Sequence, residues 1–321
     1  MPDFGTESTG QEVVDAYPEN VRDRIIVITG ATGHSIGSAA TLAFASAAPR
    51  QLILVNRNLE KSKRLISLIH EKAPSVSAIF IKCDLSSLES VKQAALEISR
   101  SVPHVDILIN NAATVPGPYS QTEDGIESQF AVDYVAHFLL TNLLMPKLLA
   151  AGPGTRVVNV ASSAVRHRTH AKFDDYNFSD GDTYTAFDGY IQAKLALVLF
   201  SIALAKRMET HNMQAYSLHP GSISSEMRAS VSLDDWQASE KRRTEAGTKT
   251  EGTRKKTVEE GCATMLVAAL DPRIAHQSGA YLKDGAVATE FIPVVDGNSE
   301  ENSETLWKIT ERLLRSDFTW P

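Results

Sequence analysis

The chain has 321 residues, of which 43% are hydrophobic and 22% charged, and it carries a formal net charge of −7. This length suits one large α/β domain or two small ones, and the composition is that of a globular protein with a core. The acidic balance excludes a general nucleic-acid binder, which needs a basic surface to displace the counterions of phosphates. The only two cysteines, Cys83 and Cys262, favour a reducing, cytoplasmic compartment over a disulfide-stabilised secreted protein.

Local patterns disfavour three further features: a signal peptide, a transmembrane segment and a metal site. Residues 1–20 form a polar, acidic N-terminal extension without the basic and apolar regions of a signal peptide. The longest apolar stretch, at 195–205, is too short to cross a bilayer, so we expect a buried helix and no transmembrane segment. His167 and His170 have no third ligand nearby in the sequence, and we expect no metal site.

Short β-branched runs alternate with helical stretches along the chain. The strand candidates are residues 24–28, 51–55, 77–81, 105–109, 156–160, 214–218 and 280–282. The helix candidates are residues 35–48, 59–72, 87–100, 124–149, 188–210 and 257–270. The strands are continuously apolar, as in sheets covered on both faces. The alternation predicts an α/β protein with a doubly wound, mostly parallel seven-stranded sheet and helices on both faces, as a single domain over residues 21–321.

Local signals refine this outline at three places. Ser86 and Glu89 have the spacing of a capping box at the start of the third helix. Residues 222–258 interrupt the alternation, and from 228 onward they are rich in charge, Thr and Gly. This segment is either a solvated insertion or a substrate loop that acts as a lid. Residues 298–321 are expected to form a helical C-terminal tail.

The first strand ends in a turn that contains Gly30, Gly33 and Gly37, although not with G-x-G-x-x-G spacing. Such a turn at the carboxyl edge of a parallel sheet presents helix amides to an anion, and glycine lets the backbone approach a pyrophosphate. Glycine turns also follow strands for steric reasons alone, so the turn indicates a dinucleotide site only together with other motifs.

Tyr190 and Lys194 stand four residues apart on a predicted helix, so both side chains project from one face. Of the eight tyrosines, only Tyr190 has a lysine at this spacing. A free tyrosine titrates near pKa ~10, and a neighbouring ammonium favours the phenolate. The pair is therefore suited to protonate an alkoxide or to deprotonate an alcohol.

In this order along the chain, the motifs resemble those of the short-chain dehydrogenase/reductase family. They are Thr29–Gly37, Asp84, Asn110–Ala113, Ser163, Tyr190 with Lys194, and Pro220–Ser225. The first turn has one residue more than the family's T-G-x-x-x-G-[IL]-G, and Ser35 stands at its middle glycine. Similar lengthened turns occur in fungal members. The 27-residue step from Ser163 to Tyr190 and the sequence AKFDDYNF resemble the retinol-dehydrogenase-like and WW-domain-oxidoreductase-like branch.

The resemblance implies a Rossmann-type fold and a defined set of site residues. The implied catalytic residues are Ser163, Tyr190 and Lys194, with Asp133 at the position where the family often has an asparagine that holds a water for proton relay. The implied cofactor-binding residues are Gly30, Thr32, His34, Ser35, Ile36, Gly37, Asn56, Arg57, Asp84, Leu85, Asn111, Ala112, Ala113, Tyr190, Lys194, Pro220, Ile223 and Ser225. Read without the family, the serines could cap a strand end and the asparagine pair could form a turn.

The choice of cofactor follows from charge at the end of the second strand. Sites that prefer NAD place a carboxylate there to hold the ribose 2′-hydroxyl. This chain has Asn56 and Arg57 instead, and a guanidinium can pair with a 2′-phosphate. NADP(H) is therefore expected rather than NAD(H), unless Arg57 is an ordinary exposed residue.

The sequence thus predicts an NADP(H)-dependent oxidoreductase that interconverts a ketone or aldehyde and an alcohol on a small organic or secondary-metabolite substrate. One alternative is a non-catalytic dinucleotide-sensing or partner-binding protein on the same fold. Another is an isomerase or epimerase that uses the cofactor as an internal redox partner. The family often pairs its long helices, so a homodimer or tetramer is also expected.

Overall fold

The computed structural model describes residues 3–167, 173–223, 254–288 and 299–320, and within them one eight-stranded sheet. The strands are β1 Ile25–Thr29, β2 Gln51–Asn56, β3 Ser77–Lys82, β4 Ile107–Asn110, β5 Arg156–Val160, β6 Gln214–His219, β7 Tyr281–Lys283 and β8 Ala286–Val287. Their order in the sheet is β3-β2-β1-β4-β5-β6-β7-β8. All neighbours are parallel except β8, which is antiparallel to β7. The doubly wound α/β fold is confirmed, with one strand more than the seven expected.

The helices cover both faces of this sheet. They are α1 Gly10–Ala16, α2 Ile36–Ser46, α3 Leu59–Lys72, α4 Leu88–Ser101, α5 Ser128–Phe130, α6 Ala136–Ala150, α7 Ala186–Arg207, α8 Val258–Gly261, α9 Ala263–Leu270 and α10 Ser299–Leu314. Every residue of β1, β4 and β5 is buried, and two hydrophobic clusters lie on opposite sides of the sheet. Continuous apolar runs are what strands covered on both faces require.

The strand order reverses direction at β1, which pairs with β2 on one side and β4 on the other. Val27 is in register with Ile53 of β2 and Leu108 of β4. The turns that follow these parallel strands meet at the carboxyl edge beside this switch point, where ligands bind in open α/β sheets. The topology therefore brings together the motifs that follow β1, β4, β5 and β6.

The long helix expected over residues 124–149 consists of three pieces in the structure. The short α5 leads into a π-helical segment, Ala131–Val135, which continues as α6. The π-helical turn adds one residue to a helical turn and is frequent at functional sites. It lies at the position of Asp133.

The capping box expected from Ser86 and Glu89 is not formed. The residue that caps α4 is Ser87, whose Oγ accepts a hydrogen bond from Ser90 N at 3.4 Å. Ser86 instead donates through Oγ to Asp84 Oδ1 at 2.7 Å. The expectation was wrong by one residue because Asp84 engages the first serine.

The N-terminal residues that the structure describes pack onto the domain. Thr9 and Glu12 form a capping box at the start of α1. A Cβ at Gly10 would lie 2.4 Å from Cys262 Sγ, so this glycine allows the close approach of α1 to the helix pair α8–α9. Both cysteines, Cys83 and Cys262, are unpaired and buried.

The C-terminal tail forms α10, which packs on α7. Trp307 is 2% exposed and lies edge-on to Phe138 of α6, with ring centroids 4.7 Å apart. The guanidinium of Arg207 stacks 4.0 Å from the same ring and also binds Glu304. The helical tail expected over 298–321 is therefore an integral part of the core within the described residues.

Among the described residues, one helix is long and apolar enough to cross a membrane. It is α7, and 78% of its most apolar window is buried inside the protein. This burial is typical of the core helix of a folded domain.

Candidate active site

The turn after β1 is packed tightly against the turn after β4. Gly30 has φ +75°, and a Cβ there would lie 2.6 Å from Ala112 Cα. A Cβ at Gly37 would lie 2.6 Å from Asn111 Nδ2. Only glycine fits these two positions without displacing the neighbouring backbone or amide. The turn therefore holds the start of α2 close to the carboxyl edge of the sheet.

Ser35 is the N-cap of α2, which explains why this chain has serine where related turns have glycine. Its Oγ accepts a hydrogen bond from Ser38 N at 3.2 Å. Serine at this position satisfies one of the free amides at the helix start, while other amides remain available to an anion. Thr32 is half-buried, Gly33 and His34 are exposed, and Ile36 opens the helix.

Asn56 and Arg57 end β2 but have different surroundings. Asn56 is buried, and its Nδ2 donates to Ala31 O at 3.1 Å and to Ser62 Oγ at 2.9 Å. It therefore braces the glycine turn rather than facing outward. Arg57 is exposed.

Asp84 follows β3 beside Arg57. Burial pulls the pKa of Asp84 upward, but hydrogen bonds from Ser86 and the charges of Arg57 and Lys82 leave it lowered. The carboxylate is thus engaged by its own turn, while Leu85 beside it is partly exposed. Leu85 and the backbone of this turn are therefore available for the adenine contact that the resemblance implies.

The asparagine pair after β4 is divided between two structural tasks. Asn110 is part of a buried side-chain network, donating to Thr141 Oγ1 and Asn159 Oδ1. Asn111 Nδ2 donates to Thr29 O at 2.8 Å, and the N–H groups of Asn111 and Ala112 both donate to Thr29 Oγ1 at 3.0 Å. The turn after β4, which continues to Ala113, is thereby fixed to the end of β1.

Tyr190 and Lys194 project from the same face of α7, as expected. Lys194 Nζ lies 5.7 Å from the centroid of the Tyr190 ring. The lysine is 2% exposed, donates to Val160 O at the end of β5 at 3.2 Å, and lies 3.1 Å from Asp133 Oδ2. The π-helical segment therefore brings Asp133 into direct ion-pair contact with Lys194.

Ser163 begins a 3-10 turn, Ser163–His167, which directly follows β5 and packs against α7. It is half-buried at the same edge as Tyr190. The neighbouring Ser162 accepts a hydrogen bond from Ala164 N at 3.2 Å and stabilises the turn. Of the two serines, Ser162 thus has the local capping role.

An aromatic cluster lies before the start of α7. Tyr184 packs edge-on against both Tyr119 and Phe178, with centroids 5.3 Å apart in each pair. Its hydroxyl donates to Gly117 O and accepts a hydrogen bond from Gln129 Nε2. The described part of the segment before Tyr190 is thus docked on the turn after β4.

The Pro-Gly turn after β6 is supported by an ion pair between the buried Lys256 and the partly exposed Asp284. Gly221 has φ +101° and packs on the Lys256 side chain, whose Nζ lies 2.7 Å from Asp284 Oδ1. Lys256 N donates to Ser222 O at 2.8 Å. Ile223 packs with Ile36 of α2 against Gly261. This arrangement places the Pro220–Ile223 turn beside the glycine turn.

Some expected residues lie outside the part of the chain that the structure describes. They are Ser225, His170 and residues 224–253 of the proposed loop insertion. Within the described ranges, no three His, Cys, Asp or Glu side chains are grouped as metal ligands would be.

Three structural residues of the site were not found from the sequence, and Thr29 was found only as the start of the glycine turn. Thr29 and His137 are fully buried, and Thr29 Oγ1 lies 2.9 Å from His137 Nε2. Lys256 and Asp284 support the Pro-Gly turn. The threonine at the strand end was a usable signal, but the other three lie far along the chain from the motifs they support.

Comparisons with known proteins agree with this geometry. A family model described as short chain dehydrogenase matches residues 24–236. The chain is 37% identical over 205 residues to retinol dehydrogenase 13 of Homo sapiens, covering 64% of this chain but only 60% of that protein. It is 30% identical to the short-chain dehydrogenase/reductase prx1 of Penicillium roqueforti, covering 92% of this chain and 86% of that protein.

A solved structure, an NADPH-bound carbonyl reductase from chicken fatty liver, shares the fold. Its TM-score is 0.58 at 21% identity, with 83% of this chain and 99% of that chain covered. The segment that the family model matches, residues 24–236, contains the glycine turn, the strand-end motifs and the Tyr190–Lys194 pair. The chain therefore belongs to the short-chain dehydrogenase/reductase family of oxidoreductases, in its retinol-dehydrogenase-like branch.

Proposed function

We propose that this protein is an NADP(H)-dependent oxidoreductase that interconverts a ketone or aldehyde and an alcohol on a small organic or secondary-metabolite substrate. The observation that carries the proposal is the position of Lys194. Its ammonium is buried at the end of β5, 5.7 Å from the Tyr190 ring and on the edge that carries the glycine turn. A proton donor and a dinucleotide turn at one sheet edge are what carbonyl reduction needs.

The residues of this edge fit a nicotinamide dinucleotide. Gly30 and Gly37 leave no side chain between the turn and the start of α2, and the helix amides there favour a diphosphate. Ile36 and Ile223 form an apolar border next to it, suited to one face of a nicotinamide ring. When bound, the cofactor supplies the hydride that passes to or from the substrate carbon.

Each of the three polar side chains has a separate task. Tyr190 donates a proton to the carbonyl oxygen during reduction and removes the alcohol proton in the reverse direction. Lys194 stabilises the deprotonated phenol electrostatically and binds the ribose next to the nicotinamide. Ser163 donates a hydrogen bond to the substrate oxygen, on which negative charge develops.

Three observations favour NADP(H) over NAD(H). The last residue of β2, where a ribose-binding carboxylate would stand, is Asn56, whose side-chain amide is turned toward Ala31 and Ser62. The next residue, Arg57, is exposed and cationic. The carbonyl reductase of the same fold is described as NADPH-bound. A guanidinium at this point can form charge-assisted hydrogen bonds with a 2′-phosphate.

Two further features belong to the same proposal. The buried, unpaired Cys83 and Cys262 support a reducing compartment, and we keep the cytoplasm as the proposed location. A homodimer or tetramer through α6 and α7 stays a prediction. α10 packs on both helices and covers part of the surface that such pairing would use.

The proposal is tested with a panel of ketones, aldehydes and alcohols, assayed with NADPH and with NADH. Wild-type protein should turn over NADPH on at least one substrate. Tyr190→Phe should lower kcat by at least about a hundredfold, because general acid–base groups contribute ~10²–10⁴-fold. Cofactor binding, followed by quenching of tryptophan fluorescence, should survive in this variant.

Tyr17→Phe is the matched control, because Tyr17 packs against Phe4 in the N-terminal segment. It should retain wild-type kcat. Equal turnover by wild type and Tyr190→Phe would contradict the assigned role. Tight NADPH binding with no turnover of any substrate would instead support a dinucleotide sensor. Product formation without net NADPH consumption would support an isomerase or epimerase.

A further inference from the structure

The pairing of Asp133 with Lys194 is a buried ion pair beside the reacting phenol. The Asp133 side chain is 0% exposed, that of Lys194 is 2% exposed, and Nζ and Oδ2 are 3.1 Å apart. A buried charge without a partner is strongly destabilising, whereas a pair compensates both charges. Each of these residues therefore requires the other in the folded protein.

Asp133 is held from its other side by the turn after β4. Its Oδ1 accepts hydrogen bonds from Thr114 N at 2.7 Å and from Thr114 Oγ1 at 3.1 Å. Two donors thus occupy one carboxylate oxygen, and the second oxygen is left for Lys194. An asparagine has only one acceptor oxygen, so its amide NH₂ would be directed toward the ammonium.

The backbone of Asp133 is anchored to the glycine turn through His137. Asp133 O lies 3.0 Å from His137 Nδ1, and His137 Nε2 lies 2.9 Å from Thr29 Oγ1. Thr29 Oγ1 accepts the N–H groups of Asn111 and Ala112, so its own proton is directed to His137 Nε2. His137 therefore carries its proton on Nδ1 and donates it to the Asp133 carbonyl. Burial lowers the pKa of His137 to about 4, which keeps the ring neutral.

The other ionisable groups around the pair do not replace Asp133. Glu127, before the π-helical segment, is engaged by the amides of Gln129 and Phe130, and burial raises its pKa. On the β7 side, Tyr281 interacts electrostatically with Tyr190 and Arg166, and burial raises its pKa. Among the described residues, Asp133 is the carboxylate within ion-pair distance of Lys194.

We infer that Asp133 is a positioning residue, a resident counter-ion that holds the Lys194 ammonium in place and reduces the positive charge acting on Tyr190. Asp133 would thus act through a direct ion pair with the lysine rather than by holding a water for proton relay. The inference rests on the proposed function for its effect on Tyr190. The ion pair itself can be tested in the ligand-free protein.

Removal of the carboxylate should shift the pH dependence of catalysis in a defined direction. Asp133→Asn keeps the shape of the side chain but leaves the ammonium charge uncompensated. A stronger positive charge favours the deprotonated phenol, so the midpoint of the pH–rate profile should move to lower pH.

The first experiment is a double-mutant cycle of Asp133→Asn and Lys194→Met in the full chain, measured by urea unfolding without ligand. Each single change leaves one buried partner uncompensated and should raise the unfolding equilibrium constant at least about a hundredfold. The unfolding equilibrium constant of the double variant should rise by much less than the product of the two single effects. Multiplicative effects would show that the two side chains do not interact and would overturn the inference.

The second experiment compares pH–rate profiles of wild type, Asp133→Asn and Thr114→Val with NADPH. Thr114→Val keeps the Asp133 charge but removes a hydroxyl donor that offsets part of it, so the carboxylate compensates Lys194 more fully and the midpoint should move slightly to higher pH. Asp15→Asn, a change of an exposed carboxylate in α1, should leave the profile unchanged. Thr114→Val also carries this test if Asp133→Asn does not fold.

The two experiments separate the inference from the proposed function. If wild type turns over no substrate, the proposed function fails, while the unfolding cycle still decides the ion pair. If wild type is active but Asp133→Asn and Thr114→Val both keep the wild-type profile, the inference fails and the proposed function stands.

Discussion

Two adjacent residues at the end of β2 show what can be learned at the scale of single side chains. Arg57 was expected to pair with a 2′-phosphate because no carboxylate stands at the end of β2, and it is exposed. Asn56 was placed in the same group, but its amide donates to Ala31 O and Ser62 Oγ inside the turn. Asn56 is the last residue of β2 and Arg57 lies beyond it, so the two neighbours have different surroundings.

The cofactor preference provides a prediction at this scale. Arg57→Ala should raise KM for NADPH about tenfold and leave KM for NADH unchanged, because a charge-assisted hydrogen bond contributes about 1.5–3 kcal/mol. Steady-state kinetics with both cofactors measures the ratio of the two KM values. Arg100→Ala, an exposed change near the end of α4, is the control and should alter neither value. An unchanged preference for NADPH in Arg57→Ala would reject the phosphate contact.

At the scale of elements, periodicity located the helices well but not their irregularities. The helix expected over 59–72 is α3 with the same limits, because its apolar face and its Asn58 cap agree. The helix expected over 124–149 is instead divided by the π-helical segment Ala131–Val135. Side-chain periodicity does not register an extra residue in one turn. In the structure the Asp133 carbonyl of this turn contacts the His137 ring, which no periodicity reports.

The packing of α10 on α6 and α7 gives a prediction for an element. Trp307 contacts Phe138, Phe200 and the Arg207 guanidinium, and Thr310 bonds the Tyr134 hydroxyl at 2.7 Å. Trp307→Ala should therefore lower the free energy of unfolding by about 3–5 kcal/mol, the usual cost of removing a buried large aromatic side chain. Urea denaturation followed by circular dichroism measures this change.

Leu96→Ala, at a residue that is 43% exposed, is the comparison and should change the unfolding free energy by less than about 1 kcal/mol. If Trp307→Ala behaved like Leu96→Ala, α10 would contribute little to the folded domain.

For the whole molecule, buried histidines couple stability to pH. Burial lowers the pKa of His137 to about 4 from the ordinary value near 6.5. Burial also lowers the pKa of His219 to about 3, and its Nδ1 is enclosed although the residue is partly exposed. Between these values and about 6.5 the unfolded chain binds more protons than the folded one. Stability should therefore fall as the pH is lowered through this window.

The expected loss is about 1.4 kcal/mol per pH unit for each histidine between pH 6.5 and 4. Urea unfolding at a series of pH values measures the slope. His137→Gln should flatten it by that amount whatever its effect at pH 7, since the titrating group is gone. His70→Gln, at an exposed residue of α3, should leave the slope as in wild type. Parallel slopes for wild type and His137→Gln would contradict the buried neutral ring.

What the sequence by itself determined is the alternation of elements and the chemical groups at the strand ends. Apolar periodicity and glycine positions are local properties, so the doubly wound sheet, the glycine turn and the Tyr190–Lys194 face could be read directly. Resemblance of the ordered motifs to a known family added Ser163 and the retinol-dehydrogenase-like branch.

The tertiary structure alone decided which side chains compensate one another. The Asp133–Lys194 pair joins positions 61 residues apart, and the Lys256–Asp284 and Thr29–His137 contacts also join distant segments. The energy of a buried charge or hydroxyl depends on what surrounds it after folding, and no spacing along the chain reports those surroundings.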